Sequence, residues 1–221
     1  MTVTDVNVVK SAIFERPDDA NKGTLGSLLC VCGSYGMAGA AVMSAKGALR
    51  TGIGLAKCAL PRSIYPIVAQ TILESVYYPL SENADGRISK VNVPFLVSES
   101  CKSSATLVGC GLGVCDDTLK IVFSLIENST TPLVLDADAL NCVAKQPEIL
   151  LRKKAPIIIT PHPGEMSRLT GLATPLVNAE RERVALDFAQ KYGVVTVLKG
   201  AGTVIASPNG KVLVNPTGNS G

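Results

Sequence analysis

The stretch from Pro156 to Thr170, Pro-Ile-Ile-Ile-Thr-Pro-His-Pro-Gly-Glu-Met-Ser-Arg-Leu-Thr, restricts the fold of this chain more than any other. Ile157, Ile158 and Ile159 form a short β-branched run, the pattern of a strand buried on both faces. Thr160 to Gly164 break it, because proline cannot donate to a sheet ladder and biases the residue before it away from helix. Glu165 to Leu169 reads as the first turns of a helix. His162, the single histidine of the chain, therefore falls in a rigid loop at the carboxyl end of a strand. In open α/β sheets that is where ligands bind.

The same alternation runs through the chain. Met1 to Asn21 is a leader with a possible short helix near Val6–Phe14. Ser27–Cys32 reads as a strand, followed by a helix to about Arg50 rich in small residues (Ala40, Ala41, Ala45, Gly47, Ala48) that let it lie close to its neighbours. Strand patterns follow at Leu55–Leu60, Leu73–Tyr78, Ala105–Cys110, Pro132–Leu135 and Val194–Leu198. Between them lie helices at Pro61–Gln70 and around Leu119, Val122, Phe123 and Ile126 with Asp116 as N-cap. A short helix contains Leu140 and Val143, and one helical face carries Val177, Val184, Ala185, Phe188, Ala189 and Tyr192, ended by Gly193. Ser81–Lys90 is polar and turn-rich, a surface excursion. Thr203–Ala206 and Lys211–Val214, joined by Ser-Pro-Asn-Gly, form a hairpin. The expectation is one α/β domain over 1–221, with a mostly parallel sheet covered by helices on both faces and an antiparallel edge at the terminal hairpin.

Composition narrows the class. At 221 residues and 47% hydrophobic, with mean hydropathy +0.31, the chain can bury a sizeable core. Its net charge, 21 − 18 = +3, is scattered, without a basic run for nucleic acid or an anionic membrane. Seven cysteines, odd in number and without C-x-x-C, read as buried free thiols in a reducing compartment rather than a disulfide framework or zinc site. Without an apolar signal core or a bilayer-length apolar run, a cytoplasmic location is expected.

Glycine-rich loops end three of the strand patterns: Gly33–Gly39, Gly109–Gly113 and Lys199–Thr203. Such loops let phosphates approach backbone N–H groups, although each also reads as a tight turn. None is G-x-G-x-x-G or a P-loop, and no G-x-S-x-G nucleophile elbow occurs. His162 is a candidate site residue or a loop histidine bonded to backbone. Asp136 ends a strand, and Asp138 caps the next helix or serves the site. Glu165 suits the helix dipole or could hold a water on a nucleotide-bound metal. Lys199 could neutralise phosphate.

Taken together, Lys22-Gly23-x-x-Gly26, Gly33-Ser34 through Gly39-Ala40, Gly109-x-Gly111-Leu112-Gly113, Leu135-Asp136-Ala137-Asp138-Ala139-Leu140-Asn141, Thr160–Glu165, Leu198–Thr203 and Asn215-Pro216-Thr217-Gly218-Asn219 resemble the ADP/ATP-dependent NAD(P)H-hydrate dehydratases of the ribokinase-like superfamily. The segments fall in the family's order over nearly the whole chain. The resemblance implies a metabolite-repair lyase that phosphorylates the hydroxyl of hydrated NADH or NADPH (NADHX, NADPHX) and expels phosphate. ADP is the expected phosphoryl donor, ATP the alternative, with Mg2+ as the accompanying metal. By matching position, Ala40, Gly113 and His162 would line the hydrate pocket, and Lys199, Gly200, Ala201, Gly202 and Thr203 would hold the nucleotide. A homo-oligomer is expected.

One element of the family pattern lies outside the sequence. A G-x-G-D stretch, whose backbone forms an anion hole and whose aspartate is the catalytic base, follows the Asn215–Gly221 segment in the family. No G-x-G-D occurs within 1–221. The expectation is a ribokinase-like domain incomplete at its C-terminus, and a chain ending at Gly221 that is inactive and poorly stable. The rival readings are a ribokinase-like kinase of a vitamin precursor such as hydroxyethylthiazole, an NAD-dependent oxidoreductase, and a non-catalytic remnant.

Overall fold

Alternate residues of the first long strand feed two separate cores. Leu29 and Val31 join one apolar cluster, while Cys30 and Cys32 join the other. Successive side chains of a strand point to opposite faces, so the sheet is covered on both sides. The computed structural model describes residues 2–3, 10 and 17–218. The expected helix near Val6–Phe14 lies, apart from Lys10, outside them.

The strands are β1 (Thr2–Val3), β2 (Ser27–Val31), β3 (Leu55–Pro61), β4 (Val76–Leu80), β5 (Ala105–Val108), β6 (Leu133–Leu135), β7 (Ile157–Ile159), β8 (Val195–Leu198), β9 (Thr203–Ala206) and β10 (Val212–Asn215). Among the described residues they form one ten-stranded sheet in the order β1-β10-β9-β8-β7-β6-β5-β2-β3-β4. From β8 to β4 every pairing is parallel. The β8–β9 and β9–β10 pairs are antiparallel. The expected hairpin is β9–β10, but it is not the sheet edge, because β1 pairs parallel to β10 outside it.

The helices are α1 (Ala38–Thr51), α2 (Tyr65–Thr71), α3 (Val93–Cys101), α4 (Asp116–Asn128), α5 (Asp138–Val143), α6 (Pro163–Thr170), α7 (Thr174–Ala179) and α8 (Arg181–Tyr192). Small side chains do bring α1 close: Ala41 and Ala45 are buried against β2 and β3 in the second cluster. Gly52, in the left-handed conformation, ends α1. The amphipathic α4 buries Ile121, Val122, Leu125 and Ile126.

Several local expectations move. Pro61 closes β3 instead of opening a helix, and a 3-10 turn over Arg62–Ile64 precedes α2. The strand expected from Leu73 begins at Val76; Leu73 itself is exposed in the turn. The helix α3 has no counterpart among the sequence expectations; Pro94 sits in its first turn, where the missing N–H costs nothing. Its place is set by burial of Leu96 in the larger core. Asp116 is the first residue inside α4, and Cys115 is the cap: its sulfur faces the first-turn N–H groups while Thr118 Oγ1 accepts from Cys115 N at 2.9 Å. Val177 shares the core with the α8 residues but sits on α7, a separate short helix. The 81–90 excursion is a loop, pinned by the Glu82–Ile88 bridge and by complete burial of Ile88. All seven cysteines are free thiols, four of them buried.

Candidate functional site

Because β8, β7, β6, β5 and β2 are neighbours and parallel, the loops at their carboxyl ends lie side by side on one rim. The expected segments thus appear in the order 199–203, 160–165, 136–138, 109–113 and 33–39. Hydrogen bonds stitch each to the next. Gly33 N donates to Cys110 O at 2.8 Å, and Ser34 Oγ donates to Gly111 O at 2.7 Å. Gly113 N donates to Asp138 Oδ2 at 2.8 Å. Thr160 Oγ1 donates to Asp136 Oδ1 at 2.9 Å. Lys199 N donates to Pro161 O at 2.8 Å, and Lys199 Nζ reaches Asp136 Oδ1 at 2.6 Å.

Ala40, in the first turn of α1, meets the 109–113 loop: a Cβ on Gly111 would stand 2.7 Å from Ala40 Cβ. Only glycine fits there, and Gly111 also has a φ of +69°. Gly113 is tied to Asp138, so Asp138 does not cap α5 but reaches across to the neighbouring loop. Ala137 holds the N-cap position of α5 at φ 49°, the one positive φ of a non-glycine among the described residues. Gly109 packs directly on the carbonyl of Asp136, with no room for a side chain. Strain at a strand end between two carboxylates is the kind of distortion that gathers at functional sites.

His162 is the N-cap of α6. Its Nδ1 accepts from Gly164 N at 3.0 Å and Glu165 N at 3.3 Å, while Glu165 Oε2 accepts from His162 N at 2.8 Å. Its Nε2 lies 3.3 Å from Glu165 Oε1. The two bonds into Nδ1 place the ring proton of the neutral imidazole on Nε2. Glu165 is buried, and both its oxygens are engaged with His162. It serves as the reciprocal partner of a capping box.

Asp136 is the meeting point of four strand ends. It takes Lys199 from β8 and Thr160 from β7, and Cys110 Sγ from β5 lies 3.6 Å from Oδ2. Burial pushes its pKa up, but the Lys199 ammonium and the Thr160 hydroxyl outweigh this and hold it below the ordinary aspartate value. The cluster can present a fixed ammonium to an anion at the rim. The 199–203 loop bends at Gly200, φ +145°, and is closed by Gly200 N donating to Thr203 Oγ1 at 3.3 Å. Ala201 and Gly202 line an open cleft of about 590 Å³ whose charged walls are Glu180, Arg181, Glu182 and Arg183. Lys199, Gly200 and Thr203 do not line that cleft, nor do Ala40, Gly113 and His162.

Residue-type reasoning about the site passed over Thr160, Cys110, Ala137 and Arg181. Thr160 had a signal in its place at the strand end before Pro161; the others had none, since their partners are distant in sequence.

A parallel-rich sheet with glycine loops gathered on the carboxyl rim, extended by an antiparallel hairpin, defines the ribokinase-like class of α/β proteins. Within it the chain belongs to the NAD(P)H-hydrate dehydratase family, whose model matches residues 28–221. It is 39% identical over 206 residues to the bifunctional NAD(P)H-hydrate repair enzyme Nnr of Thermofilum pendens, covering 93% of this chain and 39% of that protein. It is 32% identical over 213 residues to the ADP-dependent (S)-NAD(P)H-hydrate dehydratase of Bacillus subtilis, covering 96% of this chain and 71% of that one. The crystal structure of the ADP/ATP-dependent NAD(P)H-hydrate dehydratase from Bacillus subtilis, co-crystallised with ATP/Mg2+, superposes with a TM-score of 0.82 at 30% identity, over 99% of this chain and 73% of that one. The chain thus spans about two fifths of the length of its bifunctional relative.

Proposed function

We propose that this chain provides the nucleotide-dependent dehydratase part of an NAD(P)H-hydrate repair enzyme. The observation that carries the reading is the family match over residues 28–221. The rim geometry supports it: the Lys199 N–H bond to Pro161 O seats the nucleotide loop beside His162. Hydroxide is a poor leaving group. A phosphoryl group passes from ADP to the ring hydroxyl oxygen, AMP departs, and the hydroxyl proton goes to a base. The C–O bond then breaks, its electron pair leaving with phosphate as the ring nitrogen's lone pair pushes. Loss of a proton from the adjacent carbon restores the double bond.

In this reading Ala40, Gly113 and His162 line the hydrate pocket. His162, its ring fixed by two backbone donors at Nδ1, shapes the pocket. Lys199, Gly200, Ala201, Gly202 and Thr203 hold the nucleotide, the ammonium offsetting phosphate charge that would otherwise repel the attacking oxygen. ADP is favoured by the name of the Bacillus subtilis relative, and ATP is the alternative. The base is not assigned to any residue of 1–221.

Mg2+ fits poorly as a protein-caged ion. Among the described residues no group of three or more His, Cys, Asp or Glu could hold it. Asp136 and Glu165 are already engaged by Lys199 and His162. Mg2+ would come with the nucleotide's phosphates and would supply charge neutralisation there. No helix among the described residues is long and apolar enough to cross a membrane. A cytoplasmic setting and a homo-oligomer complete the reading.

The test supplies the protein with NADHX and ADP. Dihydronicotinamide absorbance should recover with equal amounts of AMP and phosphate. Recovery that ignores the nucleotide, or phosphorylation of hydroxyethylthiazole in its place, would overturn the assignment.

A further inference from the structure

The 33–39 loop leads into Ala40, and the 109–113 loop ends at Gly113. Both meet a third segment, the 81–90 excursion between β4 and α3. Gly86 O accepts from Tyr35 N at 2.9 Å, which seats the excursion on the 33–39 loop. The next residue, Arg87, lies against Gly113: a Cβ there would stand 2.5 Å from Arg87 Nε, 3.0 Å from Cδ and 3.3 Å from Cζ. A side chain on Gly113 would therefore displace the guanidinium, and the φ of +71° at Gly113 favours glycine as well.

The excursion fixes the backbone of Arg87 and leaves its charged end little used. Asn83 Oδ1 accepts from Arg87 N and from Asp85 N, each at 3.1 Å, and Asn83 N donates to Arg87 O at 2.9 Å. Asn83 Nδ2 donates to Asp117 Oδ2, in the first turn of α4, at 3.0 Å. The following residue, Ile88, is fully buried. Among the described residues the guanidinium meets Asp85 Oδ2, at 3.4 Å, and the Cys115 thiol. Asp85 is exposed, and a long surface pair of this kind yields readily to a better acceptor. The carboxylates of Asp117 and Asp138 are engaged with Asn83 and with Gly113 N. A fork with five donors thus stands on the hydrate side of the rim with one weak carboxylate partner.

A hydrated dinucleotide carries a doubly charged pyrophosphate between its two ribose rings, and a site for it needs a cation. Ala40 and Gly113 bring none, and Lys199 is held by Asp136 on the nucleotide side. We infer that Arg87 binds the pyrophosphate of the hydrated dinucleotide, its planar fork exchanging the long Asp85 contact for phosphate oxygens. This rests on the assignment of Ala40 and Gly113 to the hydrate pocket. The pyrophosphate is one ribose away from the hydrated ring, and the 2′-phosphate of NADPHX is a further ribose along. A group packed on Gly113 is therefore matched to the phosphates that NADHX and NADPHX share.

The test measures NADHX, NADPHX and ADP binding by titration calorimetry on the full protein, unsubstituted and as Arg87→Ala, Arg87→Lys and Asp85→Asn, with the melting temperature as a folding control. Arg87→Ala should weaken both hydrates by the same factor, about tenfold. Arg87→Lys keeps the charge and loses the fork, and should weaken them about threefold. Raised salt should narrow the gap between Arg87→Ala and the unsubstituted protein. ADP affinity should stay within about twofold in every variant, since the nucleotide loop is anchored elsewhere. Asp85→Asn should bind the hydrates at least as tightly as the unsubstituted protein. A loss confined to NADPHX would put the 2′-phosphate at Arg87 and overturn the inference, as would unchanged hydrate affinity in Arg87→Ala. Equal weakening in Arg87→Ala and Asp85→Asn, with a lower melting temperature in both, would reduce the pair to a tie within the excursion and overturn it too. An unsubstituted protein that binds neither hydrate would overturn the proposed function along with it.

Discussion

His162 and Lys199 sit side by side at the ends of β7 and β8, yet they are held in opposite ways. The bonds that orient His162 come from within four residues: Gly164 N, Glu165 N, Met166 N and the Glu165 carboxylate. Lys199 is oriented from far away, by Asp136 across 63 positions of sequence, by Pro161 O, and by Arg181 behind its carbonyl. A local cap can form as soon as its helix forms. A long-range clamp exists only once the sheet has brought β6, β7 and β8 together. The difference teaches that the two halves of one rim should respond differently to substitution.

The largest effect that could break this comparison is at Asp136. Asp136→Ala removes the partner of Lys199 and of Thr160 at once, and should destabilise the fold by about 2–3 kcal/mol in urea unfolding, the usual cost of stranding charged and hydroxyl groups. Because the folded pKa of Asp136 is depressed, its contribution is present above the unfolded value, about 3.9, and is lost as pH falls through the lower folded value. The unsubstituted protein should therefore lose stability on acidification more steeply than Asp136→Asn. Parallel acid limbs in the two proteins would show that the clamp carries no stability.

The cap should be weaker and self-contained. His162→Ala and Glu165→Ala should each cost about 1–2 kcal/mol, and the double variant clearly less than the sum, because each removes the other's partner. Additive costs would mean that the two side chains act separately. Affinity for ADP should change little in Glu165→Ala, which sharpens the contrast with Lys199.

The smallest effect concerns Ala137, strained at φ 49° between the two carboxylates. Ala137→Gly should raise stability by up to about 1 kcal/mol, since relief of strain outweighs glycine's added freedom in the unfolded chain. A fall in melting temperature would mean that the backbone there is not strained.

The rim was legible where its order depended on strand ends. The Ile157–Ile159 run, the Pro-His-Pro-Gly break and the glycines at 109–113 all stand at the carboxyl ends of parallel strands, as their patterns implied. Legibility failed where packing, not pattern, set the element. No helical periodicity is read over 93–101, where α3 forms with Leu96 buried in the larger core. For Asp138 the sequence left a helix cap and a site role open, and the structure discards the cap: its carboxylate serves Gly113 on the next loop.

By itself the sequence determined an alternating α/β chain, a parallel sheet, the glycine turns and the place of His162 in a strand-end loop before a helix, because each rests on periodicity or on groups a few residues apart. Only the tertiary structure decided that Asp136 would clamp Lys199, that Ala137 would be strained, and that Arg181 would bond the Leu198 and Lys199 carbonyls. Those contacts join residues whose separation carries no periodic signal, and they form only when neighbouring strands align in register.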